Sequence, residues 1–295
     1  MGCKLLREKM IKALRNRWPK IRQISTKAFL TVLLWFLGIL TILPFLWMLS
    51  ASFKGVNDVY TFPIEWIPKN PTLDGYKNLF AGDFSFITFY INSIFVAAMA
   101  LVGTFFSCTM AGYAYSKINF VGRDKIFLVK LSTTMIPGMV TMLPTFIIYR
   151  YLGLVNTLTA LWLPMFFGGT FGVMLMRQSM ISVPNEMLES ARIDGATHPR
   201  IYWSIMLPSV KPAIATLLFM YFLWTWNDYE RPLLYIQSRE LFTLPFAVKY
   251  FSNEHTSNVP AIMAANVVSM AVIILMFFFC QKYFIRSVIS SGIKG

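Results

Sequence analysis

Five stretches of this chain, residues 29–50, 88–114, 131–149, 157–176 and 261–281, contain no Asp, Glu, Lys or Arg. Each lies near the ~20 residues that an α-helix needs to cross about 30 Å of hydrocarbon. Inside a bilayer only helices and closed barrels satisfy their own backbone polar groups, so runs of this length point to helical spans. A sixth run, Pro212 to Trp226, is shorter, but Lys211 at one end can snorkel and Asn227 and Asp228 can sit at the opposite headgroup level. With 56% of residues hydrophobic, a water-soluble globule would have nowhere to bury its apolar surface. The expected fold class is an all-α integral membrane protein with six transmembrane helices.

The formal net charge of +14 over 295 residues would suit a nucleic-acid partner if the basic residues formed a patch. They lie before and between the apolar runs instead. Residues 1–27 carry nine Lys or Arg against Glu8 alone. The loop with Lys117, Arg123 and Lys125, the loop from Arg177 to Lys211, and the tail with Lys282, Arg286 and Lys294 are basic too. Residues 51–87 and 227–260 each hold three basic residues against four acidic ones. The positive-inside rule then puts both termini in the cytoplasm. The expected organisation is a basic cytosolic segment at 1–27, read as a lead-in rather than a cleaved signal peptide, a six-span domain at 28–284 and a cytosolic tail at 285–295. An external loop falls at about 51–87.

Several spans hold helix breakers: Pro44, Pro137 with Gly138, Pro144, and Pro164 followed by Gly168, Gly169 and Gly172. Proline removes a backbone donor and bends a helix. Ordinary membrane-helix composition and bent helices lining a solute path both account for them.

The cytoplasmic loop of about 183–212, VPNEMLESARIDGATHPRIYWSIMLPSVKP, reads as two short helices joined by a turn. Pro184 suits a first helical turn, Glu186 and Glu189 suit the positive N-terminal end, and Gly195 suits the left-handed residue that stops a helix near Asp194. Thr197 can cap a second helix begun by Pro199 and ended by Pro208, with Ile201, Ile205 and Leu207 as its apolar face. Glu189, Ala191, Asp194, Gly195, Ala196, Ile205, Leu207 and Pro208 match the "EAA" pattern: EAA, three residues, Gly, nine residues, then Ile-x-Leu-Pro. Here the chain resembles the permease subunits of ABC importers of type I. Ser190 departs from the usual alanine, a small-for-small change. Further resemblance to the carbohydrate, maltose-type branch runs through NSIFVAA at 92–98, YAYSKINFVGRDKIF at 113–127, LGLVNTLTALWLP at 152–164, WNDY at 226–229 and the terminal GIKG.

The resemblance implies that this loop is a coupling helix docked on a cytosolic ATPase subunit. It also implies a place in the inner or plasma membrane of a prokaryote, with a second permease, two ATPase subunits and an external solute-binding protein as partners and a sugar, oligosaccharide or glycoside as cargo. Met187, Leu188 and Ile193 would offer apolar docking surface, Glu189 would face a basic group, and Ala191 and Gly195 would allow close backbone approach. A DNA-reading helix-turn-helix, suggested by Arg192, His198 and Arg200, is at odds with a loop tethered to membrane spans at both ends.

No GxxxxGK[ST] phosphate loop occurs, so ATP and Mg²⁺ are expected on the partner ATPases and no cofactor on this chain. Cys3, Cys108 and Cys280 have no metal-ligand or disulfide-scaffold spacing. No Ser/His or paired-Asp arrangement sits within a span, so a transport role without catalysis is expected. An ion-coupled carrier or a channel is the alternative, although such carriers commonly keep ionisable residues inside spans and the five clear ones here have none. Asn92, Ser93, Thr133, Thr134, Thr141 and Asn266 suit either sugar hydrogen bonds or helix-to-helix contacts. Trp224, Trp226 and Tyr229 suit either an outer gate or an interfacial aromatic belt.

Overall fold

A computed structural model describes residues 2–81, 86–254 and 258–292, of which 2–25, 81, 253, 254 and 284–292 are described by their backbone alone. His255 and residues 293–295 of the terminal GIKG therefore lie outside the described residues, and Cys3 is described by its backbone alone. No strand occurs among the described residues. Four helices are long and apolar enough to cross a membrane, and two sharply bent helix pairs bring the number to six if each pair is one span.

The first span is residues Thr26–Ser52, the apolar part of α1 (Gly2–Ser52). Its apolar side chains are exposed along most of its length; only its last residues, Ser50 to Ser52, are buried. After α2 (Asp74–Ala81), α3 (Phe86–Lys117) runs uninterrupted through the middle of the molecule. Small residues on α3 allow close helix contact, as expected where lipid supplies no hydrophobic drive. A Cβ on Gly112 would lie 2.6 Å from that of Met176, and one on Gly103 would overlap the Phe166 ring.

The third run, expected as one span at 131–149, is a broken one. α4 (Arg123–Ser132) and a 3₁₀ turn at Thr133–Met135 meet α5 (Gly138–Tyr151) at a bend of 98°. Pro137 explains the break: it forces Ile136 into extended backbone, with ψ 117°, and cannot continue the hydrogen-bond ladder. The fourth run is interrupted too, as α6 (Thr159–Phe166) and α7 (Thr170–Ile181), with Gly168 at φ +66° between them. Pro144 and Pro164, by contrast, are accommodated inside helices. The fifth span, α11 (Lys211–Trp226), matches the expected 212–226 closely, and α14 (Val259–Gly292) contains the sixth.

Buried apolar side chains fall into two clusters, an outer one at the end of the 227–254 connector and an inner one at the end of the 183–210 loop. The first gathers Phe86, Phe89, Leu161, Phe222, Trp226 and Leu244 beneath the 227–254 connector, which folds as α12 (Glu230–Tyr235) and α13 (Leu244–Glu254). The second gathers Cys108, Val173, Met176, Met180, Ile201 and Met206 around the loop that carries the EAA pattern.

Candidate functional site: the 183–210 elbow and its mounting

The loop forms an elbow. Its first arm, α8 (Asn185–Ile193), has Glu186 in the first turn and Arg192 in the last, the arrangement that complements a helix dipole. Its stop is a Schellman motif: Ala196 N–H donates to the Ala191 carbonyl at 2.9 Å and Gly195 N–H to the Arg192 carbonyl at 3.0 Å. That closure requires a left-handed residue, and Gly195 has φ +79°.

The second arm begins at α9 (His198–Ile201). Thr197 holds the N-cap position, but its side chain makes no capping hydrogen bond, contrary to the expected role. Nor does Pro208 end this arm. A π-helical turn at Tyr202–Met206 leads into α10 (Leu207–Ser209), and the chain bends by 80° only on entering α11. The wider turn makes room for the proline ring, which would otherwise meet the carbonyl one α-turn back, so the stop moves to Val210.

The nine pattern residues divide by exposure. Glu189, Ser190, Asp194, Gly195 and Pro208 are exposed, Ala191, Ala196 and Ile205 are half-buried, and Leu207 is buried. Leu188 is only 4% exposed, so it anchors the first arm in the inner cluster and is not a docking surface. The exposed apolar tip is Ile193, 86% exposed, and Met187 is exposed too, in the opposite half of α8. Ala191 also packs against the inner cluster, so its small side chain serves the mounting rather than an outward approach. A Cβ on Gly195 would meet nothing within 4 Å, which leaves its backbone angle as the reason for glycine within this chain.

The mounting was not legible in the pattern. Lys117, the last residue of α3, donates from Nζ to the Val183 carbonyl at 2.6 Å and to Asn185 Oδ1 at 2.7 Å, gripping the start of the first arm. One and two turns earlier, Tyr113 shares a hydrogen bond with His198 Nδ1 at 3.0 Å and Thr109 one with the Tyr202 hydroxyl at 2.6 Å. Thr109, Tyr113 and Lys117 are four apart, so one stripe of α3 holds both arms. Arg177 of α7 braces α4: its guanidinium lies 4.3 Å from the Phe127 ring centre and 3.5 Å from Asp124 Oδ1. The spacing within YAYSK is the sequence signal that marks Tyr113 and Lys117.

The other candidates are mostly occupied. Asn92 Nδ2 donates to the carbonyls of Glu240 and Phe242 at 2.7 and 3.0 Å, and Ser93 Oγ accepts the Leu244 N–H at 2.7 Å, so both fasten the connector at the far end of α3. Thr134 and Thr141 bond carbonyls of their own helices, and Thr133 meets Thr170 at 3.2 Å. Trp226 is a core residue, 2% exposed and stacked on Phe222, which excludes both the gate and the belt for it. Trp224 stays exposed, edge-on to Phe171. Tyr229 and Asn266 share a cleft of about 430 Å³ with Asn227, Lys249 and Ser269. Asp228, just past α11, pairs with Arg231 at 3.6 Å, and burial pushes its carboxyl above the usual range despite that partner. Among the described residues no group of three or more His, Cys, Asp or Glu side chains has the geometry to hold a metal ion.

Comparison with known proteins agrees with this architecture. The family model described as "Binding-protein-dependent transport system inner membrane component" matches residues 84–290. The arabinooligosaccharides transport system permease protein AraQ of Halalkalibacterium halodurans is 32% identical over 268 residues, covering 90% of this chain and 96% of that protein. The maltodextrin transport system permease protein MdxG of Bacillus subtilis is 31% identical, covering 93% and 97% respectively. A chain in the crystal structure of a bacterial ABC transporter involved in import of the acidic polysaccharide alginate superimposes with a TM-score of 0.77 at 25% identity, covering 88% of this chain and 98% of that one.

Proposed function

Since the chain belongs to the family of binding-protein-dependent transport system inner membrane components, we propose that its 183–210 elbow is the part through which ATP hydrolysis drives sugar import. The chain is a multi-pass inner-membrane permease subunit of an ABC transporter for a sugar or oligosaccharide. The observation that carries the coupling role is the split within the elbow. Its buried residues, Leu188, Ile201, Met206 and Leu207, join the elbow to α3 and α7, while Ile193, Asp194 and Glu189 stand out into solvent. A rigid mounting with an exposed apolar tip and flanking charges is what a force-bearing contact needs, since apolar contact supplies affinity and charge supplies orientation.

In this reading the partners are a second, homologous permease, two cytosolic ATPase subunits that bind ATP and Mg²⁺, and an external solute-binding protein. The chemistry of hydrolysis belongs to the ATPases. Closure of the ATPase pair moves the elbow as a lever, and the broken spans swing between inward-open and outward-open arrangements. Both termini and the elbow face the cytoplasm, as the distribution of Lys and Arg supports. The functional units are the basic lead-in at 1–27, the six-span domain at 28–284 and the tail at 285–295. The cleft of Asn227, Tyr229, Asn266 and Ser269 suits the solute path, offering an aromatic face together with hydroxyl groups and the amide oxygens of two asparagines whose Nδ2 groups bond the Leu223 and Ile262 carbonyls.

The test is Asp194→Arg in the assembled transporter. Sugar uptake is expected to fall while the amount of protein in the membrane stays at the wild-type level, and full uptake would refute the coupling role.

A further inference from the structure

A break inside a membrane span frees backbone groups that lipid cannot satisfy. At the α6–α7 break three side chains from two other helices take them. Thr104 Oγ1 of α3 donates to the Met165 carbonyl at 2.8 Å, beside the Gly168 N–H at 3.0 Å, and Ser107 Oγ lies 3.1 Å from the Phe166 carbonyl while sharing its one proton with the Gly103 carbonyl of its own helix at 2.7 Å. From the other side, Gly169 N–H donates to the Tyr221 hydroxyl of α11 at 3.0 Å. Thr104 and Tyr221 are almost completely buried. Side chains cannot be added to the break: a Cβ on Gly168 would lie 2.5 Å from Ser107 Oγ, and one on Gly172 would lie 2.5 Å from Cys108 Sγ and 2.9 Å from the Tyr221 hydroxyl. Gly168, at φ +66°, has a second reason to be glycine. The break is thus seated in a fitted socket.

Its position in the fold gives it a use. Before the break, α6 contributes Ala160 and Leu161 to the outer cluster; after it, α7 contributes Val173, Met176 and Met180 to the inner one. The inner cluster also holds Leu188, Ile201, Met206 and Leu207, and α7 reaches α8 through only Ser182, Val183 and Pro184. So α7 and the elbow are one packed body. α3 and α11 run uninterrupted through both clusters, so α7 can turn relative to α6 only by exchanging the bonds at the break.

We propose that Tyr221, with Thr104 and Ser107, are positioning residues that latch a hinge at Gly168, through which displacement of the elbow reaches the outer half of span four. This rests on the coupling role of the elbow. The hinge moves between two bonded arrangements rather than flexing continuously, because unbonded backbone groups are costly there. Tyr221→Phe keeps the ring and deletes only the hydroxyl, and Thr104→Val keeps the shape and deletes the bond to the Met165 carbonyl.

The experiment uses the complete transporter in nanodiscs, with hydrogen–deuterium exchange of the segment 166–173, and uptake and ATP hydrolysis measured in parallel. In the wild type, trapping with ATP and vanadate is expected to change exchange in this segment while segment 94–100 of α3 stays constant. In Tyr221→Phe, exchange of the segment is expected to rise roughly two- to tenfold, the population change that loss of one net hydrogen bond produces, with uptake per ATP hydrolysed reduced and the ATPase still co-purifying. Exchange that ignores both trapping and Tyr221→Phe overturns the latch, and so does a faster-exchanging Tyr221→Phe variant with wild-type uptake per ATP. Thr104→Val supplies the same readout should Tyr221→Phe fail to assemble. Failure of the coupling role reads differently: Asp194→Arg would then retain full uptake, whatever the exchange at 166–173.

Discussion

Replacement of Gly195 separates two reasons for a glycine at the tip of the elbow. The Schellman closure needs φ near the observed +79°, and the space around a Cβ is open within 4 Å, so the cost inside this chain is conformational. An L-residue forced into the left-handed region pays about 1–2 kcal/mol, and asparagine pays less because its short polar side chain tolerates that region. In the free protein a variant elbow relaxes to another turn, and docking on the ATPase has to restore the original one. The affinity for the ATPase should therefore weaken about 5- to 30-fold in Gly195→Ala, with Gly195→Asn falling between wild type and alanine despite its greater bulk. The assay is binding of the purified ATPase to the permease pair in nanodiscs, with thermal unfolding of the spans as the control. If Gly195→Asn bound worse than Gly195→Ala, steric crowding by the partner rather than backbone geometry would be the reason for glycine, and the reasoning would fail.

Leu188→Ala should cost about 2–5 kcal/mol of stability, as expected for a large-to-small change at a buried site. Ile193→Ser, at an exposed site, should leave the unfolding midpoint unchanged and still lower ATPase affinity; paired thermal-shift and binding measurements distinguish them. Lys117→Met removes two hydrogen bonds to the start of the first arm and should speed proteolytic cleavage at residues 183–195 several-fold, with sugar uptake reduced. Asn266→Ala in the cleft should raise the sugar concentration needed for half-maximal uptake while leaving ATP hydrolysis coupled, and an unchanged dependence would remove that cleft from the solute path.

Much of this architecture was legible because the bilayer leaves a chain few choices. The charge-free runs at 29–50, 88–114 and 261–281 each became part of one continuous helix, and the Gly195 stop appeared where local backbone chemistry demands it. What escaped depends on partners distant in sequence. Pro137 broke span three, while Pro144 and Pro164 were absorbed, and composition gives all three the same signal. Whether a proline breaks a membrane helix turns on whether neighbours satisfy what it frees. Leu188 and Ile193 are equally apolar, and only the inner cluster decides that one is an anchor and the other an exposed tip. Asn92 and Ser93 had polar groups consistent with sugar binding, but the connector 148 to 151 residues later takes their hydrogen bonds. The stripe Thr109, Tyr113, Lys117 is polar at four-residue spacing, a pattern readable on a helix once its partner surface is known.

The most direct measurement places a photo-crosslinking amino acid at position 193 in the intact membrane, with a second at position 156, in the turn between α5 and α6. Position 193 is predicted to capture an ATPase subunit, with a yield that changes when ATP and vanadate are added, while position 156 captures none. Capture at 193 of lipid or of the external solute-binding protein, with no ATPase adduct, would contradict an elbow that receives the force of ATP hydrolysis on the cytoplasmic side.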